Sequence, residues 1–140
     1  MKKIFVSAAV MCFCLFSAMG TTAGAQETPK HPIDIEVEKR IDADPSTSGM
    51  IEASEWAAGE WDKLLNENYN ALMKKINKEG QDKLKAAQRE WIKYRDLEFD
   101  FNANFWGGFE GTMYRVMPFG FKSDFIRNRA LELGGYLAEF

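Results

Sequence analysis

The sequence predicts an all-α protein: a long antiparallel helical hairpin with a shorter C-terminal helix packed across it, a three- to four-helix bundle. Three observations carry this prediction. Apolar residues recur at 100° per residue over residues 47–77, a second stripe of the same period runs over 81–104, and no stretch alternates like a half-buried strand. Hydrophobic residues make up 46% of the 140-residue chain, enough for one core at this length.

Residues 1–25 stand apart. Lys2 and Lys3 precede the apolar run "IFVSAAVMCFCLFSAM", and "AGA" at 23–25 supplies the small residues of a cleavage site. This is the pattern of a cleaved secretory signal, too short and wrongly flanked for a stable membrane span. Export to a periplasm, or secretion beyond it, is the expectation. No small-residue-then-Cys lipid-attachment pattern surrounds Cys12 or Cys14, so a soluble product is expected. Cleavage after Ala25 leaves 115 residues, none of them cysteine, which excludes disulfides, thiol catalysis and thiolate metal sites. The 16 basic and 21 acidic residues that remain give a net charge of −5. Mild acidity without a basic run argues against nucleic acid or an anionic membrane as partner and leaves a basic protein open.

The elements follow in order. "QETPKHP" (26–32) is polar with two prolines and is expected to fray. Ile33, Val37 and Ile41 recur every fourth residue, a short helix over 33–44 that Asp44-Pro45 stops. "PSTSG" offers hydroxyls to cap the next helix, with Glu52 and Glu55 near its positive end. From Thr47 to Asn77, Met50, Ser54, Ala57, Trp61, Leu64, Leu65, Asn68, Leu72 and Ile76 share one stripe; such a helix is about 45 Å long. Lys74, Lys75 and Lys78 sit at its C-terminal end, with Gly80 as the expected C-cap.

The following helix, 81–104, carries Leu84, Gln88, Trp91, Ile92, Arg95 and Phe99 on one stripe and Ala87, Tyr94, Phe101 and Phe105 on a second beside it. Two adjoining apolar stripes suit a helix packed against two neighbours. "FWGGFEGTMYRVMPFGF" (105–121) breaks the period with four glycines and Pro118 and reads as a loop. A last helix over 123–137 turns Phe125, Ile126, Arg129, Ala130, Leu133 and Leu137 inward, and Gly134-Gly135 weakens its final turn. The chain thus divides into a signal (1–25), an N-terminal segment (26–44) and a helical domain (45–140).

Several of these residues form a recognisable pattern. Leu65, Asn66, Tyr69 and Leu72, then Ala87, Gln88, Arg89, Trp91, Ile92, Tyr94, Arg95 and Asp96, then Gly111 and Thr112, and finally Arg129 and Leu133 together resemble the LprI-like lysozyme-inhibitor family. The resemblance covers residues 45–138 and implies an exported helical domain that binds a protein. Family members usually carry cysteines near the positions of Ala53, Phe99 and Phe121, which this chain lacks. Aromatic packing by Phe99 and Phe121 is the expected substitute, since burying two Phe side chains offsets about the 2–4 kcal/mol of a lost disulfide. The family's Thr at the start of the last helix aligns with Ile126, which leaves Ser123 as the expected cap.

Two groups of residues are candidates for more than core packing. Gln88 and Arg95 flank Trp91 on one helix face, and a buried guanidinium needs polar partners. A polar cluster of Asp62, Asn66, Gln88, Arg95 and Arg129 that fixes helix register is the expectation. The stretch 105–121 displays Trp106, Phe109, Glu110, Tyr114 and Arg115, residue types favoured at interface hot spots. Those aromatics either bind a partner or close the open end of the bundle.

Catalysis is not expected. No His or Cys lies in the helical core to activate a nucleophile, and nothing places two carboxylates in one cleft. Helical di-metal sites need Glu-x-x-His pairs, and His31 is the only histidine, so neither metal nor cofactor is expected. The sequence predicts a protein-binding domain, with inhibition of a lysozyme-type muramidase as the role the resemblance implies. The alternative is a structural or stress-associated envelope protein with a protein partner and no inhibitory activity.

Overall fold

The computed structural model describes residues 30–140, so the expected signal and its cysteines lie outside the described residues. Among the described residues four helices follow one another: α1 (Pro32–Ala43), α2 (Thr47–Lys75), α3 (Lys78–Gly107) and α4 (Thr112–Leu137). No strand interrupts them among the described residues.

Local chemistry sets the boundaries. Ser46 accepts the Gly49 amide at 3.1 Å and starts α2. Asp44 accepts the Ser46 amide at 3.0 Å in the corner from α1. A Cβ at Gly49 would collide with the Asp44 backbone and carboxylate, so this corner closes only around glycine. Asn77 caps α3 by accepting the Gly80 amide at 2.9 Å. Gly80 therefore lies in the first turn of α3 instead of capping α2, whose C-cap is Ile76. Gln81 reaches back to the Met73 and Ile76 carbonyls at 2.9 and 3.2 Å and closes the turn.

The core belongs to α2 and α4. Ala57, Ala58, Trp61, Leu65 and Leu72 pack on Ile126, Ala130 and Leu133. The small residues let the two backbones approach closely. Asn68 uses that proximity to donate to the Ala130 carbonyl at 2.9 Å, and a Cβ on Gly134 would stand 3.0 Å from its amide nitrogen. Helix α1 straps across this pair. Asp34 takes a bidentate bond from Arg127 of α4 (2.8–3.1 Å), and the His31 ring lies 4.5 Å from that of buried Trp61. His31 and Pro32 were expected to fray; instead His31 Nδ1 accepts the Ile33 amide at 3.2 Å and caps α1.

Helix α3 is held differently. Its only buried residue is Asn102, and Trp91, Tyr94 and Phe99 meet α4 through a single ring, Phe125, at 5.6–5.8 Å. Phe121 joins the same ring at 5.7 Å. Phe99 and Phe121 thus meet through Phe125.

The expected loop over 105–121 is mostly helix. Only Gly108–Gly111 separates α3 from α4. Phe105 and Trp106 continue the period of α3, and Gly107 and Gly120 have open space where a Cβ would stand, so their cost is the modest propensity penalty. Pro118 lies inside α4, where it removes the hydrogen bond to the Tyr114 carbonyl and its ring crowds that carbonyl, a cost of about 3 kcal/mol that α4 bears without a break. Ser123 and Ile126 are consequently interior and buried in α4, not at its start. Gly111 takes that place with φ +118° and no side-chain cap.

Candidate functional site

The α3–α4 tip brings together all five residues expected to bind a partner. Trp106, Phe109, Glu110, Tyr114 and Arg115 line one cleft of about 520 Å³, with Pro118 and Phe119 on its α4 side. The rings brace one another. Trp106 stacks on Tyr114 at 6.0 Å between centroids, Phe109 on Tyr114 at 5.0 Å, and Phe105 meets both Trp106 (4.9 Å) and Phe109 (5.2 Å). Such edge and offset contacts hold ring positions without burying the rings fully. Phe109 and Tyr114 remain 47% and 36% exposed.

A buried amide anchors this cluster. The Asn102 side chain donates to the Glu98 carbonyl at 3.0 Å and accepts from Trp106 Nε1 at 3.2 Å. The indole is therefore fixed from beneath, and its face forms a wall of the cleft. Gly111 makes the return possible through its φ of +118°, a backbone conformation that residues with a Cβ rarely adopt. Glu110 and Arg115 are exposed and make no ion pair among the described residues. The cleft thus combines an aromatic floor with one uncommitted charge of each sign.

The expected polar cluster divides. Arg129 donates from Nε to Gln88 Oε1 at 3.0 Å and from Nη1 to Glu132 at 2.7 Å, which ties α4 to α3. The other members stay apart. Asn66 bonds its own helix through the Asp62 carbonyl and carboxylate, and Arg95 forks onto its neighbour Asp96 at 2.7 and 2.8 Å. The reason is the placement of α4. With α4 seated on α2, the α2–α3 hairpin opens into two clefts: one of about 620 Å³ between Asn66 and Gln88, and one of about 490 Å³ between Asp62 and Arg95. The paired residues face each other across space.

Two register-setting contacts escaped the sequence reading, Asn68 to Ala130 and Asp34 to Arg127. Asn68 gave a signal, a polar residue on the apolar stripe of α2. Asp34 gave none beyond its place in the first turn of a helix. Among the described residues, no group of three or more His, Cys, Asp or Glu side chains is placed to hold a metal ion, and no helix is long and apolar enough to cross a membrane.

Comparison with solved structures shows the same fold in an uncharacterized protein from Burkholderia thailandensis, with a TM-score of 0.71 at 24% identity. The alignment covers 77% of this chain and 54% of that one, so the chain spans about half the length of its structural relative. No curated protein matches the chain. The family described as lysozyme inhibitor LprI matches residues 39–133, from the second half of α1 to Leu133 of α4. With that match spanning the core, the Gln88–Arg129 tie and the tip, the chain belongs to the LprI lysozyme inhibitor family.

Proposed function

We propose that this chain is exported and acts outside the cytoplasm as a protein-binding domain that inhibits a lysozyme-type muramidase. The family match supports the class of activity, and the apolar run after Lys2 and Lys3 supports export. One observation carries the choice of surface: the tip gathers Trp106, Phe109, Glu110, Tyr114 and Arg115 into a single cleft, with the indole held from below by Asn102. Braced aromatics beside an unpaired arginine are the composition of an interface hot spot.

In this reading the rings supply the apolar contact area, while Glu110 and Arg115 find partners among the polar groups of the glycosidase cleft. Binding needs no enzyme chemistry and no cofactor. Over residues 30–140 the chain carries 16 basic and 20 acidic groups, so encounter with a basic muramidase is faster at low salt. The test is a cell-wall lysis assay with c-type, g-type and bacterial muramidases, titrated to stoichiometry. Saturable inhibition that the Glu110→Ala/Arg115→Ala pair weakens at least ~10-fold, without a change in melting, is the expected result. Inhibition unaffected by these changes moves the surface elsewhere; no inhibition of any of the three enzymes overturns the reading.

A further inference from the structure

Much of the second apolar stripe of α3, with Leu97 beside it, stays exposed, although Tyr94 packs on Phe125 and Phe105 on Trp106 and Phe109. Tyr94, Leu97, Phe101 and Phe105 follow one another at helical spacing and are 54%, 69%, 61% and 45% exposed. Neighbouring Ala87 and Glu90 are also exposed. Phe101 and Phe105 stack at 5.8 Å, so the apolar surface is continuous between them. Tyr94 to Phe105 spans ~16 Å at 1.5 Å per residue. The stripe runs down the shaft of the helix; Phe105 at its end touches Trp106 and Phe109 of the tip cleft, whereas Leu97 and Phe101 do not line that cleft.

We propose that this stripe is the interface between two copies of the chain, packed α3 against α3. The area favours this occupant. At these exposures, side chains of ~150–250 Å² leave on the order of 400 Å² of apolar surface per copy. That is about half of the ~800 Å² each partner gives to a standard interface, and it matches the apolar centre of such an interface with a polar rim around it. Glu90, Lys93, Glu98 and Asn104, which flank the stripe in sequence, form that rim. A helix stripe is also self-complementary by geometry: a two-fold axis across it lays the stripe on itself and closes at two copies. The weak hold on α3 within one chain agrees with this, since Asn102 is its one buried residue and the partner helix would cover its other side.

Electrostatics gives the interface its own signature. Each copy carries a net charge of −4 over residues 30–140, so the copies repel at low ionic strength and associate more tightly as salt screens them. Muramidase binding through the tip would respond to salt in the opposite sense, which separates failure of this inference from failure of the proposed function.

Sedimentation equilibrium of the full chain, purified as the cell processes it, tests the proposal between 1 and 100 μM at 50 and 500 mM salt. The expected mass doubles across this range, at lower protein concentration in the higher salt. Phe101→Glu and Leu97→Glu should each raise the half-association concentration at least ~30-fold. The circular dichroism spectrum should stay unchanged, because both side chains are already exposed. In a chain whose only cysteines are Cys12 and Cys14, Phe101→Cys should cross-link to itself under mild oxidation, while Lys74→Cys at the far end of the hairpin should not. A monomer at 100 μM in both salts, or a dimer indifferent to Phe101→Glu and Leu97→Glu, overturns the proposal.

Discussion

Replacing Arg129 by alanine should destabilise this protein far more than the same change at Arg95, although both arginines lie beside Trp91. Arg129 is 9% exposed, its Nε holds Gln88 of α3 at 3.0 Å, and its Nη1 holds Glu132 at 2.7 Å. Loss of a hydrogen bond from a charged donor costs about 1.5–3 kcal/mol. Glu132 is half-exposed, so its pairing adds only ~0.5 kcal/mol. Removing the guanidinium also relieves its own desolvation, which offsets the loss of its contact with the Trp91 ring, 6.0 Å from its carbon to the ring centre. The expected net loss is about 2–3 kcal/mol. For a domain of this size that corresponds to a fall in Tm of about 10 °C.

Arg95 has no partner on another helix. It forks onto Asp96, whose side chain is 59% exposed, and lies 5.5 Å from the centre of the Trp91 ring. Its removal should cost below about 1 kcal/mol. Urea unfolding followed by circular dichroism gives both values. A double-mutant cycle of Gln88→Ala with Arg129→Ala should return a coupling of ~1–2 kcal/mol. Equal losses at the two arginines, or a coupling near zero, would refute the claim that the Gln88–Arg129 bond ties α3 to the core.

Two further perturbations probe the tip turn and the α4 surface. Gly111→Ala should destabilise by about 1–3 kcal/mol, because φ +118° is closed to a residue with a Cβ; thermal melting reads this, and an unchanged Tm would mean the turn adopts another conformation at no cost. Burial pushes the Asp124 carboxyl above the usual carboxylate range, against the pull of Arg127. A raised folded-state value means that the fold favours the protonated acid, so this contribution to stability is present at low pH and is lost as pH rises through the raised value. Asp124→Asn should therefore be more stable than the parent at pH 7 and lose that advantage towards pH 4; urea midpoints at both values check the sign, and an advantage that grows on acidification would contradict it.

The parts of the fold legible in the sequence are those where one physical term dominates. Helix α2 is a long 3.6-residue pattern, and Ala57, Trp61, Leu65 and Leu72 of its predicted stripe are all buried. Ile126, Ala130 and Leu133 of the last helix follow the same rule. The tip misled because composition and packing disagree there. Gly107, Gly120 and Pro118 lower helix propensity, yet the contacts among Phe105, Trp106, Phe109 and Tyr114, together with the Asn102–Trp106 bond, keep the backbone helical up to a four-residue turn. The polar cluster misled for another reason. Helical spacing says which way Asp62 and Arg95 point on their own helices, but not that α4 rather than α3 would pack on α2. That choice is a property of the whole assembly, and it turned an expected ion cluster into a cleft.

This arrangement separates what holds the fold from what it displays. The α2–α4 core, with the Asn68–Ala130 bond inside it and the α1 strap fixed by Asp34–Arg127, forms without any contribution from the tip cleft. Helix α3 extends from that core, tied to it at Gln88 and around Phe125. Asn102 then carries rigidity outward: buried in α3, it fixes Trp106, against which Tyr114 of α4 stacks. Binding residues on a stiff support lose less freedom when a partner docks. The aromatics and charges of the tip are therefore open to substitution at small cost to the core, whereas Asn102 belongs to both levels. A change there should disturb the display of the cleft before it disturbs the fold, because its hydrogen bonds run to Glu98 and Trp106 and none reaches α2.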